Sequence, residues 1–232
     1  MRPLSPAYVL HSRPYRDTSA LVDLLTLHEG LQRVVWRGAR GSRKGSGPQL
    51  FVPMMVALAG RSELRTLAAA EAAGSYVTLR GDQLFSGMYL NELLLRLLRA
   101  ADPQPLLFAA YQAALEALAG AQPVEPVLRR FEWQLLDVLG YGFSLTVDAS
   151  GQPIDPAARY VWQADQGLVR IEMPPEAGLP GAALLSIAAG EWAEPGTLRA
   201  AKLLMRQALS VHLGDRPLIS RQLFSQAKGV QS

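Results

Sequence analysis

The stretch Gly30–Pro48, GLQRVVWRGARGSRKGSGP, changes character halfway along, and the reading of the fold starts from that change. Leu31–Arg37 has the period of two of a half-buried strand, with Gln32, Val34 and Trp36 on one face and Arg33, Val35 and Arg37 on the other. Gly38 then opens a loop of glycine, serine and cations. Arg33, Arg37, Arg40, Arg43 and Lys44 fall within twelve residues, with no acid between Glu29 and Glu63. Glycine and serine add no charge and keep the backbone pliable, so such cations can follow an irregular polyanion, and each neutralised phosphate releases counterions. A solvated basic loop has the same composition, and the stretch alone leaves both readings open.

Toward the N-terminus, residues 7–11 (AYVLH) read as a short strand that ends at a turn over Ser12–Asp17, where Pro14 and Asp17 are turn formers. Residues 20–28 form a second apolar, β-branched run closed by Glu29-Gly30 as a hairpin turn. Beyond Pro48, residues 49–59 (QLFVPMMVALA) read as a fourth strand whose internal Pro53 implies an edge or a bulge. A turn at Gly60–Glu63 leads to a fifth strand over residues 64–72. Five short strands of this kind predict a five-stranded oligonucleotide/oligosaccharide-binding (OB-fold) barrel over residues 1–79. In that barrel strands 2 and 3 and the loops after strands 1 and 4 line the ligand groove. Those places hold Arg33 and Arg37, then Arg13, Tyr15 and Arg16, then Arg61. Trp36 lies opposite Arg33 by strand parity, which favours the barrel interior over a base-stacking role and leaves Tyr15 as the better stacking candidate.

From about Gly81 the spacing becomes helical. Apolar residues recur at threes and fours over 83–101, and helices are expected at 105–119 and 126–139 as well, three antiparallel elements able to share a core. Residues 143–180 read as a small β-containing insertion, with a hairpin of 159–162 and 168–173 around Asp165-Gln-Gly167. A short helix at 182–189 and a longer one at 197–213 follow, so residues 80–232 form a helical domain and the class is α+β. On the third helix Arg129 and Arg130 interrupt an apolar segment; they read either as a solvated face or as a cationic rim beside an apolar groove that captures a peptide carboxylate. Arg199, Lys202 and Arg206 stack at helical spacing and read as a solvated face or an extension of a nucleic-acid path.

Charge supports this division. The 232 residues carry a net charge of +3, but residues 1–80 hold eleven Lys/Arg against five Asp/Glu, while residues 81–232 hold twelve against fifteen. The basic half is the better candidate for a nucleic-acid surface. No cysteine is present, and His11, His28 and His212 show no ligand spacing, so neither a transition-metal site nor a cofactor is expected. The phosphate-loop and nucleophile-elbow motifs are missing, and no enzymatic activity is expected. No signal peptide and no apolar run of membrane-spanning length is read, which implies a soluble cytoplasmic protein without membrane contact. An RNA-binding or ribosome-associated barrel protein is the alternative of another class.

The order of the parts resembles the RecO family of bacterial DNA repair and recombination proteins. The residues that carry it are Ala7-Tyr-Val-Leu-His-Ser-Arg-Pro14, Asp17-Thr-Ser19, Gly38-Ala-Arg40, Gly87-Met-Tyr-Leu-Asn-Glu-Leu93, Leu128-Arg-Arg-Phe-Glu132, Leu139-Gly-Tyr-Gly142 and Thr197-Leu-Arg-Ala-Ala-Lys202. Each piece is short, and their shared order is specific. The resemblance implies a recombination mediator that binds single- and double-stranded DNA and anneals complementary strands. It further implies contact with the C-terminal tail of single-stranded DNA-binding protein, and loading of RecA together with RecR, with RecF in some settings. Such a protein would be associated with the nucleoid. Many members hold zinc with four cysteines in the insertion; this chain resembles the branch without them. By position, Arg33, Arg37, Arg40, Arg43 and Lys44 would form the main DNA surface, and Arg129 and Arg130 would meet the partner's tail.

Overall fold

A computed structural model describes residues 3–41, 47–60, 64–74, 78–120, 122–172, 177–192 and 194–223. They fall into two compact units, one of residues 1–122 with 217–232 and one of residues 123–216. The first is built on five strands, β1 (Ser5–Tyr15), β2 (Ser19–Thr26), β3 (Gly30–Trp36), β4 (Met54–Ala59) and β5 (Arg65–Ala72). They close as a barrel in the order β1-β2-β3-β5-β4. All neighbours are antiparallel except β3 and β5, which run parallel through Val34↔Arg65 and Val35↔Thr66. This is the connectivity expected for an OB-fold barrel.

Alternation fills the interior. Val9, Ala20, Val22, Leu24, Val34, Val56 and Leu58 are buried in one cluster, and Trp36 packs against it half-buried, on the interior side that its parity indicates. Two strand limits differ most from the sequence reading. β1 does not stop at His11 but continues through Pro14 to Tyr15, because proline's fixed φ is compatible with extended backbone near a strand end. Arg13 and Tyr15 are therefore strand residues, and only Arg16–Thr18 form the turn. The fourth strand starts at Met54, after Pro53, because Phe51 sits at φ 65 and turns the chain before it. That left-handed backbone is strained for a bulky residue. It is held by burial of the Phe51 ring against Gly87, where an added Cβ would lie 2.8 Å from the ring.

Helices α1 (Asp82–Leu97) and α2 (Pro105–Ala119) complete this unit. Proline at the first position of α2 sacrifices no intrahelical hydrogen bond. Tyr8 of β1 meets Phe108 and Tyr111 of α2, at ring separations of 5.5 and 5.2 Å. The α1–α2 connection joins the start of β3, where the Ala101 N–H donates to the Leu31 carbonyl at 3.0 Å. The chain also returns here: the Glu92 carboxylate on α1 accepts the backbone N–H groups of Ile219 and Ser220, both at 2.9 Å, and the Ser220 hydroxyl at 2.6 Å. These are the otherwise orphaned donors of the helical turn over 219–223.

The second unit contains α3 (Val124–Val138), a sheet of order β7-β6-β8, α4 (Gly181–Ala188) and α5 (Pro195–Leu213). Its strands are β6 (Arg159–Gln163), β7 (Gly167–Ile171) and β8 (Leu179–Pro180). Rather than three helices in one core, α1 and α2 pack with each other and α1 with β1, while α3 packs on α5. The small sheet is the expected insertion. Having no cysteine, it is held by packing and hydrogen bonds: Tyr160 is fully buried and its hydroxyl accepts the Asp155 N–H at 2.9 Å. Gly181 passes so near Asp155 that a Cβ would stand 2.0 Å from its carbonyl oxygen. Phe143 bridges Trp133 and Trp162 at ring separations of 5.2 and 5.5 Å.

Candidate nucleic-acid interface

The register of β1, β2 and β3 arranges the outward side chains in rows. Asp23 pairs with His11 on one side and Arg33 on the other; Leu21 pairs with Arg13 and Val35; Ser19 pairs with Tyr15. With Ala20, Val22 and Leu24 committed to the interior, strict alternation turns Ser19, Leu21 and Asp23 outward. The result is a face with exposed His11, Arg13 and Arg33 on the two sides of β2, whose own outward residues Ser19, Leu21 and Asp23 lie nearly buried between them.

The first row is centred on one acid. Arg33 Nε donates to Asp23 Oδ1 at 2.7 Å, and His11 Nδ1 stands 3.5 Å from Asp23 Oδ2. The carboxylate is nearly buried, while the Arg33 side chain is 58% exposed. The hydrogen bond that Arg33 donates to Asp23, reinforced by the negative charge there, pushes the Arg33 pKa further above its already high ordinary value. Anchoring through Nε fixes the guanidinium plane, and the two terminal nitrogens form the edge that can engage a phosphate in bidentate fashion. Neither Asp23 nor His11 stood out as a site residue in the sequence. The available signal was one acid inside the otherwise apolar strand SALVDLLT, which has to face a cation or solvent.

At the end of this face further cations of the barrel gather. Arg16 sits in the β1–β2 turn at φ 54, its guanidinium carbon 5.1 Å from the centroid of the Tyr15 ring, so one side of that ring is occupied by a cation. The Arg40 N–H donates to the Thr18 carbonyl at 3.0 Å, which ties the entry of the β3–β4 loop to the β1–β2 turn. Arg37 and Arg40 are exposed. The structure thus brings Arg13, Tyr15, Arg16, Arg33, Arg37 and Arg40 together in the barrel. Arg43, Lys44 and Arg61 lie outside the described residues.

In the second unit the two adjacent arginines of α3 differ. Arg130 is exposed, whereas Arg129 is 8% exposed and pairs through Nη2 with Glu132 Oε1 at 2.8 Å, one helical turn on. On α5, Arg199, Lys202 and Arg206 share an exposed face, with Lys202 Nζ bound to Glu125 Oε1 of α3 at 2.7 Å. Leu203 and Val211 lie exposed on the same helix. Among the described residues no three His, Asp or Glu side chains converge as a metal-binding group, and no helix is long and apolar enough to cross a membrane.

Comparison with known proteins agrees along nearly the whole chain. The family profile described as Recombination protein O N terminal matches residues 1–76, and the one described as Recombination protein O C terminal matches residues 79–222. A DNA repair protein RecO from Pseudomonas paraeruginosa is 53% identical over 221 residues, spanning 95% of this chain and 94% of the relative. One from Stutzerimonas stutzeri is 54% identical over 223 residues, spanning 96% and 94%. One from Pseudomonas putida is 53% identical over 219 residues, spanning 94% and 96%.

Proposed function

The chain belongs to the recombination protein O family, in its branch without the four-cysteine zinc site, and from that premise we propose that it is a recombination mediator, not an enzyme. Family membership gives a role in DNA recombination and repair. The proposal adds how this chain carries it out. Single- and double-stranded DNA lie along the outer face of β1–β3, with Arg13, Arg33, Arg37 and Arg40 on phosphates and Tyr15 under the bases. Arg16, Arg43, Lys44 and Arg61 extend the same basic surface. The observation that carries this reading is the register itself, which sets Arg13 and Arg33 on opposite sides of β2. Cations on one face screen two phosphate backbones from each other, so complementary strands approach and pair without nucleotide hydrolysis.

The second unit would serve protein partners. Arg130, exposed beside an apolar helix face, receives the carboxylate at the acidic C-terminal tail of single-stranded DNA-binding protein, and Arg129 contributes indirectly through its pair with Glu132. Arg199, Lys202 and Arg206 continue the DNA path on α5. With RecR, and with RecF in some settings, the protein then exposes the coated strand to RecA at the nucleoid. The deciding experiment is annealing of complementary strands coated with single-stranded DNA-binding protein, with and without its tail. Annealing that depends on the tail is expected and should be lost in Arg130→Ala, which keeps binding to naked DNA. Annealing indifferent to the tail would remove the partner site.

A further inference from the structure

β1 carries one residue more than its partner strand can match. Val9 pairs with Leu24 and His11 with Asp23, so Leu10 has no partner on β2. Its effect on the DNA face is large. From Val9, which points into the barrel, unbroken pairing would set His11 inward opposite Val22 and Arg13 inward opposite Ala20. The extra residue reverses the alternation, and the distal half of β1 presents His11, Arg13 and Tyr15 outward instead.

An unpaired residue in a buried strand leaves a carbonyl that needs a partner, and Leu10 is 2% exposed. The partner comes from the helices. Asn91 Nδ2 on α1 donates to the Leu10 carbonyl at 2.8 Å, and Asn91 Oδ1 accepts the Tyr111 hydroxyl of α2 at 2.6 Å. Asn91 is 3% exposed and Tyr111 is fully buried, so neither exchanges its bond with water. Burial also holds the Tyr111 pKa well above the ordinary tyrosine value, which keeps the hydroxyl a donor. The Tyr111 bond fixes the amide with its NH2 group toward β1.

We infer that Asn91 and Tyr111 are positioning residues for the DNA face: they hold Leu10 out of the ladder and so decide which side chains of β1 face outward. The inference rests on the reading of β1–β3 as the DNA surface, but the register can be measured without DNA. Because the chain has no cysteine, a single introduced thiol reports the exposure of its own position. Ser12→Cys and Arg13→Cys are each made in the native background and with Asn91→Ala, Tyr111→Phe or Gly87→Ala, and the rate of thiol modification is measured on the folded protein. Gly87→Ala is the control for a packing change on the same helix, since its Cβ would crowd the side chains of Leu79 and Phe51 and the change removes neither hydrogen bond of Asn91.

In the native background Arg13→Cys should react several-fold faster than Ser12→Cys. That ratio should fall to one or below with Asn91→Ala, fall part of the way with Tyr111→Phe, and hold with Gly87→Ala. An unchanged ratio in folded Asn91→Ala overturns the inference; if that variant does not fold, an unchanged ratio in Tyr111→Phe does the same. Binding of a fluorescent single-stranded oligonucleotide to the cysteine-free variants is measured in parallel, with Asn91→Ala expected to lose about as much affinity as Arg13→Ala. A collapsed ratio with full DNA affinity in both would leave the positioning role standing and refute the proposed DNA face.

Discussion

Two arginine–carboxylate pairs of nearly equal length do opposite work in the two units. On the barrel, Arg33 meets Asp23 at 2.7 Å, with the arginine side chain 58% exposed and the carboxylate 10%. On α3, Arg129 meets Glu132 at 2.8 Å, with both side chains at 10% exposure or less. In the first pair the acid is a base on which a cation is presented to solvent. In the second, both charges have left water and hold each other. Distance alone says nothing about role; the exposure of the cation decides whether a second anion can reach it.

The sharpest way to break this comparison is to remove the arginines one at a time. Arg129→Ala takes one partner from the fully buried Glu132 carboxylate of the second unit, and loss of one partner of a buried pair costs about 3–5 kcal/mol. Arg33→Ala removes a mostly exposed partner, and its cost should stay within about 1 kcal/mol. Urea unfolding of both variants measures the difference. Equal losses would mean that the two pairs have the same structural weight and that Arg33 is not held for a ligand.

DNA binding should invert that order. With one phosphate contact removed, Arg33→Ala should weaken binding of all sequences alike and reduce the slope of log affinity against log salt by about 1. The triple change of Arg40, Arg43 and Lys44 to alanine should flatten the slope further, whereas Arg130→Ala should leave it unchanged. Fluorescence anisotropy over a salt series reads all three. A salt slope that survives the triple change takes the β3–β4 loop out of the DNA path.

The barrel was legible because its cue is a period: β3 alternates Gln32-Arg33-Val34-Val35, and burial follows that alternation residue by residue. What was not legible has no period to show. The bulge at Leu10 falls inside an apolar run, and nothing in Val9-Leu10-His11 indicates that a helix more than eighty residues later supplies the missing hydrogen bond. Consequently the sequence assigns Arg13 to a turn, where its exposure needs no account, while the structure makes that exposure depend on Asn91. Arg129 and Arg130 read as a pair because they are adjacent. A helix turns by about 100° between neighbours, so adjacency on α3 separates their environments. The sign in the sequence is an acid, Glu132, three residues after Arg129, and the structure buries it fully.

The smallest expected effect concerns pH and sharpens the comparison through two histidines. His11 lies on the open barrel face beside Asp23, whereas His212 of α5 lies stacked on Tyr141, with ring centroids 3.6 Å apart and planes within 10°. Burial lowers the pKa of His212 below its ordinary 6.5, so the folded state favours the neutral ring. The unfolded chain then takes up a proton first as pH falls. The contribution of His212 to stability is therefore complete above about pH 6.5, diminishes as pH drops below that value, and levels off once the folded ring is protonated as well. The ring is only partly covered, so the effect should amount to a small shift in Tm. His212→Gln should remove it, making the Tm difference between pH 7.5 and pH 5.5 smaller than in the native protein. An equal or larger difference in the variant would show that Tyr141 and its surroundings exclude too little water to disfavour a charge there, and that the second unit is open at this helix end in the way the barrel face is open at His11.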